Sequence, residues 1–125
     1  MHRIRMGVPE MDAFWKDLTD RYNKKQLNKE EIELFKKLVK TLDYLRNNPR
    51  HPSLHSHEID ALSRRYGFKV WQSYLENQKS GARRIFWTYG PGRNEISVLG
   101  IEPHPNEAHQ RAYDRIRLSD LPPAK

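Results

Sequence analysis

Lys69-Val-Trp-Gln-Ser-Tyr-Leu75, Arg83-Arg-Ile-Phe-Trp-Thr-Tyr89 and Glu95-Ile-Ser-Val-Leu-Gly-Ile101 are three short runs of mostly β-branched and aromatic residues. Side chains of that kind favour extended backbone. Gly90-Pro-Gly-Arg-Asn94 marks a turn between the second and third runs, and Glu76-Asn-Gln-Lys-Ser-Gly-Ala82 a longer hairpin loop between the first and second. Strands this close along a chain pair antiparallel by default. The expectation is a three-stranded antiparallel sheet over residues 68–102.

Upstream, the pattern changes period. Ile4, Met6 and Val8 alternate, which predicts a strand over residues 1–8. Pro9 can open a helix at its first position, where the missing N–H costs nothing. Met11, Phe14, Trp15, Leu18 and Tyr22 then recur at helical spacing. Asn28 followed by Glu31 reads as a capping box, and Ile32, Phe35, Leu38, Val39, Leu42 and Leu45 form the apolar stripe of a second helix that Asn48-Pro49 ends. Together these make a helical hairpin over residues 9–48. Residues 49–67 read as a linker, and residues 103–125 as a C-terminal segment with a short helix from Ala108 to Leu118. The order predicts one α+β domain over residues 1–125, with two helices on one face of a small, mostly antiparallel sheet. The other face is left to a ligand.

Bulk properties narrow the function. A chain of 125 residues is one domain by size. No Cys is present, which excludes disulfide frameworks, thiolate metal sites and thiol nucleophiles and fits a reducing compartment. No apolar run approaches the roughly 18 residues of a membrane span, and the N-terminus lacks the apolar region of a signal peptide. The expected location is the cytoplasm, with no membrane partner. The formal net charge is +7. Residues 64–93 hold seven Lys or Arg against the single acid Glu76, so nearly all the excess lies around the strands. A sheet so biased suits a polyanion such as RNA.

Cleaving a phosphodiester needs a base, positive charge on the phosphate, and an acid. Arg84 stays charged and can fork onto two phosphate oxygens. Adjacent residues of a strand face opposite ways, so Arg84 shares a side with Phe86 and Thr88, while Arg83 goes with Ile85, Trp87 and Tyr89. The second set is the more apolar and is expected to face the helices, which turns Arg84 to the open side. His104, stiffened by Pro103 and Pro105, can carry a proton near neutral pH. Tyr113 is a further candidate for proton transfer. Lys69, Arg83, Arg93, Lys79 and Arg65 read as phosphate-steering charges. Trp71, Tyr74, Trp87 and Tyr89 can stack on bases or fill the core; core is the expectation for Trp87. His51, His55 and His57 fit no zinc motif, because Glu58-Ile59 interrupts the run and no His follows Asp60. No metal or cofactor is expected.

Asn48-Pro-Arg-His-Pro-Ser-Leu54, Arg84-Ile-Phe-Trp87, Val98-Leu-Gly-Ile101 and Ala112-Tyr-Asp-Arg-Ile116, in this order and spacing, resemble the RelE/ParE superfamily of toxins from bacterial toxin–antitoxin pairs. The resemblance covers nearly the whole chain, although its helical part is long for the family. It implies a RelE-like fold and a metal-independent endoribonuclease (an mRNA interferase) that acts on translating ribosomes. The 2′-hydroxyl of the RNA attacks the neighbouring phosphate, leaving a 2′,3′-cyclic phosphate and a 5′-hydroxyl. It implies a cognate antitoxin as partner, with Arg84 on the phosphate and His104 and Tyr113 in proton transfer. One departure is plain. Some ribosome-dependent members carry paired basic residues on the first hairpin strand, where this chain has only Lys69, with Gln72 and Ser73 beyond it. Two alternatives stay open: a ParE-like inhibitor of DNA gyrase that cuts no RNA, and a plain nucleic-acid-binding domain.

Overall fold

The computed structural model describes residues 1–76 and 82–103. Within them the chain forms β1 (Arg3–Met6), α1 (Pro9–Asn23), α2 (Lys29–Asn47), a 3-10 turn (Pro52–Leu54), β2 (His57–Glu58), α3 (Asp60–Tyr66), β3 (Trp71–Tyr74), β4 (Arg83–Tyr89) and β5 (Glu95–Pro103). The class is α+β, as the sequence implies.

The helices begin and end where side-chain chemistry directs. Pro9 opens α1, with Glu10 and Asp12 in its first turn. At the start of α2 the Asn28 side chain accepts from the Glu31 N–H at 2.8 Å, while the Glu31 carboxylate accepts from the Asn28 N–H at 3.0 Å. That reciprocal box satisfies two N–H groups the helix cannot pair itself, worth about 1 kcal/mol. Arg21 of α1 then reaches Glu31 at 2.9 Å and ties the two helices together near their connection.

The sheet has five strands, in the order β1-β5-β4-β3-β2. This corrects the expectation in extent only: the three antiparallel strands expected over residues 68–102 are present as β3, β4 and β5, and β1 and β2 add a strand at either edge. β1 joins as a parallel edge strand, pairing Ile4 with Ile96 and Met6 with Val98. The chain between them, from the helical hairpin through β4, is the long connection that a parallel pair requires. At the exit from β1 the backbone passes so close to β5 that a methyl on Gly7 would stand 3.0 Å from Ser97 Cβ. β5 carries an unpaired extra residue, Leu99, because Phe86 pairs with Gly100 and Trp87 with Val98.

The linker expectation over residues 49–67 is also corrected. That segment holds the 3-10 turn, β2 and α3. β2 is two residues long, too short for alternation to register. α3 is only seven, and it ends at Gly67, whose φ of 80° suits a residue without a Cβ. The first expected strand, 69–75, narrows to Trp71–Tyr74, and the third extends to Pro103. The expected helix from Ala108 to Leu118 lies outside the described residues.

The side of the sheet bearing Ile4, Met6, Ile85, Trp87, Ile96 and Val98 joins Leu38, Leu42 and Leu45 of α2 and Leu18 of α1 in one core. Trp87, Ile85, Ile96 and Val98 are each 0 % exposed. Side chains buried to that degree contribute about 1.5–3 kcal/mol each. Trp87 Nε1 donates to Ser73 Oγ at 2.8 Å, and Ser73 is bonded to Ser56, which donates to the Pro49 carbonyl just beyond α2. The core indole is thereby pinned to the end of the helical hairpin. Among the described residues no helix is long and apolar enough to cross a membrane.

Candidate functional site

The other side of the sheet is set by register. Tyr74 of β3 pairs with Arg84 of β4, which pairs with Glu102 of β5. One step along, His57 pairs with Gln72 and Gln72 with Phe86. Partners across a ladder point the same way, and alternation keeps Gln72 with Tyr74 and Arg84 with Phe86. Four strands therefore present His57, Gln72, Tyr74, Arg84 and Glu102 on one face. His55, two residues before His57, completes the row by stacking on Tyr74 with ring centroids 4.6 Å apart.

Arg84 stands at the centre, on the side away from Ile85 and Trp87, as the alternation argument requires. It is buried, however, with 5 % of its surface exposed. Its guanidinium lies over the Tyr74 ring, 3.7 Å from the centroid. A desolvated cation in that position is held by roughly 2 kcal/mol. Nη1 donates to the carbonyls of Glu76 and Arg83, at 3.0 and 3.3 Å. Nε is buried with no partner. No carboxylate comes within ion-pair range of Arg84 among the described residues. Glu102, directly across the ladder, forms no such pair, and burial holds its carboxyl above the usual value. Beside Arg84, Gln72 is 1 % exposed, and neither atom of its amide finds a partner. A buried, unpaired amide costs about 1–3 kcal/mol, so its presence asks for a reason beyond stability.

The remaining candidates separate. Arg83 is on the helix side. Its N–H donates to Glu76 Oε1 at 3.2 Å, its guanidinium lies 3.8 Å from the same carboxylate, and it lines a cleft with Glu30, Glu31 and Glu33 of α2. It does not share the face of Arg84. Glu76 also binds Lys37 of α2 at 3.1 Å, so this corner acts as an electrostatic clamp between hairpin and sheet. Lys69 is exposed just before β3, where its carbonyl accepts from the Thr88 hydroxyl at 2.7 Å. Lys69 lines a shallow cleft with Glu58, Asp60 and Arg64, in which cations face acids. Arg65 lies over the Tyr66 ring on α3, 5.7 Å from the centroid, and Arg93 is exposed in the turn before β5. His104, Tyr113 and Lys79 lie outside the described residues.

The three loop histidines divide their work. His51 Nδ1 accepts from the Ser53 N–H at 3.1 Å, and its ring packs on Tyr44 at 4.4 Å. It is a cap for the 3-10 turn. His57 Nδ1 lies 3.1 Å from the His55 carbonyl. A carbonyl can only accept, so the proton sits on Nδ1 and the Nε2 lone pair is left bare when the ring is neutral. His55 has φ 48° and ψ 44°, a left-handed bend that an L-residue seldom adopts, and its N–H closes the turn onto the Pro52 carbonyl at 3.1 Å. Among the described residues no three His, Asp or Glu side chains converge as a metal site would need.

Sequence reasoning singled out Arg84 and offered Tyr74 as a base-stacking ring, but gave Gln72 and His55 no part in the site. Gln72 and Tyr74 were legible by alternation once the pairing with Arg84 was known. His55 was not, because its place depends on the bend after the 3-10 turn. Comparison of the chain with protein-family models, with curated proteins and with solved structures gives no match.

Proposed function

We propose that this protein is a RelE-like toxin: a metal-independent endoribonuclease of the bacterial cytoplasm that cuts mRNA on the ribosome and that a cognate antitoxin holds in check. The observation that carries the reading is Arg84, a buried guanidinium without a counter-charge among the described residues, central on one sheet face beside an unpaired amide. A protein leaves such a charge unneutralised at a cost in stability, and an incoming phosphate removes that cost. Nη1 is already committed to two carbonyls. The remaining edge, Nε and Nη2, has the fork geometry for two non-bridging oxygens; Nε is buried, so a phosphate reaches it only by displacing what covers it.

In the proposed reaction the 2′-oxygen attacks the adjacent phosphorus, the bond from phosphorus to the 5′-oxygen breaks, and Arg84 stabilises the charge that gathers on the equatorial oxygens. The Gln72 amide offers a donor and an acceptor to the same nucleotide. Tyr74, fixed beneath Arg84, holds the guanidinium in place. His104 and Tyr113 stay candidates for proton transfer through the family resemblance alone. Lys69, Arg93 and Arg65 steer the RNA toward the site.

One observation favours the non-catalytic alternative, a ParE-like inhibitor of DNA gyrase. β3 turns Gln72 and Tyr74 toward Arg84, and neither is a cation. Induced expression in a bacterium separates the readings. The ribonuclease reading expects growth arrest, with transcripts ending in 2′,3′-cyclic phosphates, and relief of both by Arg84→Ala. Arrest with intact transcripts and damaged DNA would replace it with the gyrase reading.

A further inference from the structure

We infer that His55 is the proton acceptor for the attacking 2′-hydroxyl; the inference rests on the RNA-cleavage reading above. Tyr74 links the two catalytic groups. The imidazole of His55 stacks on it at 4.6 Å and the guanidinium of Arg84 lies over it at 3.7 Å. The base and the phosphate clamp are therefore separated by no more than those two lengths laid end to end. That bound lets both groups reach one ribose–phosphate unit past the edge of the Tyr74 ring, each by a hydrogen bond of about 2.9 Å. A base must come within hydrogen-bond reach of the proton it takes, and the shared tyrosine sets that spacing.

Three further features agree. His55 is exposed, so RNA can reach it, and neither ring nitrogen has a protein partner among the described residues. His51 and His57, in contrast, each spend Nδ1 on the backbone. His55 adopts a left-handed backbone conformation, and backbone strain of this kind in a non-glycine residue costs on the order of 1 kcal/mol and clusters at functional sites. The bend is itself anchored, by the His55 N–H on the Pro52 carbonyl and by the His57 ring on the His55 carbonyl. Those contacts fix the direction in which the imidazole leaves the chain. In the reaction the imidazole takes the 2′-hydroxyl proton as the new phosphorus–oxygen bond forms. The departing 5′-oxygen takes a proton from water, and the imidazolium later returns its own to solvent.

The test compares wild type, His55→Asn, His55→Gly, His57→Asn and Arg84→Ala in single-turnover cleavage of ribosome-bound mRNA, with RNA affinity measured in parallel. Asn and Gly both accept the left-handed bend, so either variant preserves the turn. The expected result is a loss of about 10²- to 10³-fold in rate for His55→Asn with affinity unchanged. Added imidazole should restore part of the rate in His55→Gly, which a merely structural histidine would not allow. Cleavage by His55→Asn at the wild-type rate, with Arg84→Ala inactive, overturns this assignment and leaves the ribonuclease reading standing. A large loss in His57→Asn with none in His55→Asn overturns it in favour of His57. No cleavage by wild type, on or off the ribosome, overturns the ribonuclease reading and this assignment with it.

Discussion

The two faces of β4 are one residue apart along the chain and opposite in how they treat polar atoms. On the helix side, Trp87, Ser73, Ser56 and the Pro49 carbonyl form a closed chain of donors and acceptors. On the other side, Arg84 Nε and both amide atoms of Gln72 are buried and unpartnered. The helix side has exceptions of its own: the Trp71 indole N–H beneath Arg50, His2 Nδ1 beside Tyr89, and Thr19 Oγ1 of α1. A core built for stability satisfies its polar groups. On the proposed reading, a face that leaves an amide and a guanidinium unsatisfied is the one to which RNA would bring partners. Burial does not distinguish the two faces, since Phe86 and Trp87 are both 0 % exposed; what differs is that one face leaves a cation and a whole amide without partners.

The comparison breaks most visibly through Trp87. Trp87→Ala removes the centre of the helix-side core and should destabilise by about 3–5 kcal/mol, read as a lower urea midpoint. Trp87→Phe keeps most of the volume but orphans the Ser73 hydroxyl network, and the expected loss is about 1–2 kcal/mol. If both variants unfold like wild type, Ser73 is not the hub described here.

Gln72→Leu sharpens the contrast. An apolar side chain of similar size relieves the unpaired amide, so the variant should gain about 1–2 kcal/mol in stability while cutting RNA more slowly. A loss of stability would mean that the amide is satisfied in solution and that the two faces are alike. Glu76→Ala should cost roughly 1–3 kcal/mol, less than a fully buried pair, because Lys37 and Arg83 can turn to solvent.

The smallest effects concern pH. Burial raises the Glu102 carboxyl, so its ionised form is disfavoured in the fold. The penalty sets in as pH rises above the unfolded value of about 4.3. Glu102→Gln should therefore be more stable than wild type at neutral pH, with the difference vanishing in acid. Glu31 and Glu95 behave oppositely. The Asn28 N–H chiefly lowers the first and the Arg3 guanidinium chiefly lowers the second. Their contribution is present above the unfolded value and is lost as pH falls through the lower folded value. Urea midpoints across pH 3 to 7, a range about as wide as the carboxylate window, for Glu102→Gln against Glu31→Gln should show slopes of opposite sign.

Much of this arrangement could be read from the chain. The capping box at Asn28 and Glu31, the break at Asn48-Pro49 and the alternation that sets Arg84 against Trp87 are local rules, and local rules survive folding. The parallel pairing of β1 with β5 was not legible, because nothing in Ile4 or Met6 names a partner more than 90 residues away. Nor was the row from His55 to Glu102. Alternation gives the facing of each strand by itself, whereas the row depends on register across four strands and on a left-handed bend at His55.

The most direct test of the central claim is the single-turnover rate of mRNA cleavage by Arg84→Ala relative to wild type, with both proteins shown to melt alike. A fall of about 10²- to 10³-fold is expected, with the wild-type products carrying 2′,3′-cyclic phosphate ends. Equal rates for the two proteins would contradict it, and the unneutralised guanidinium would then have no part in the chemistry.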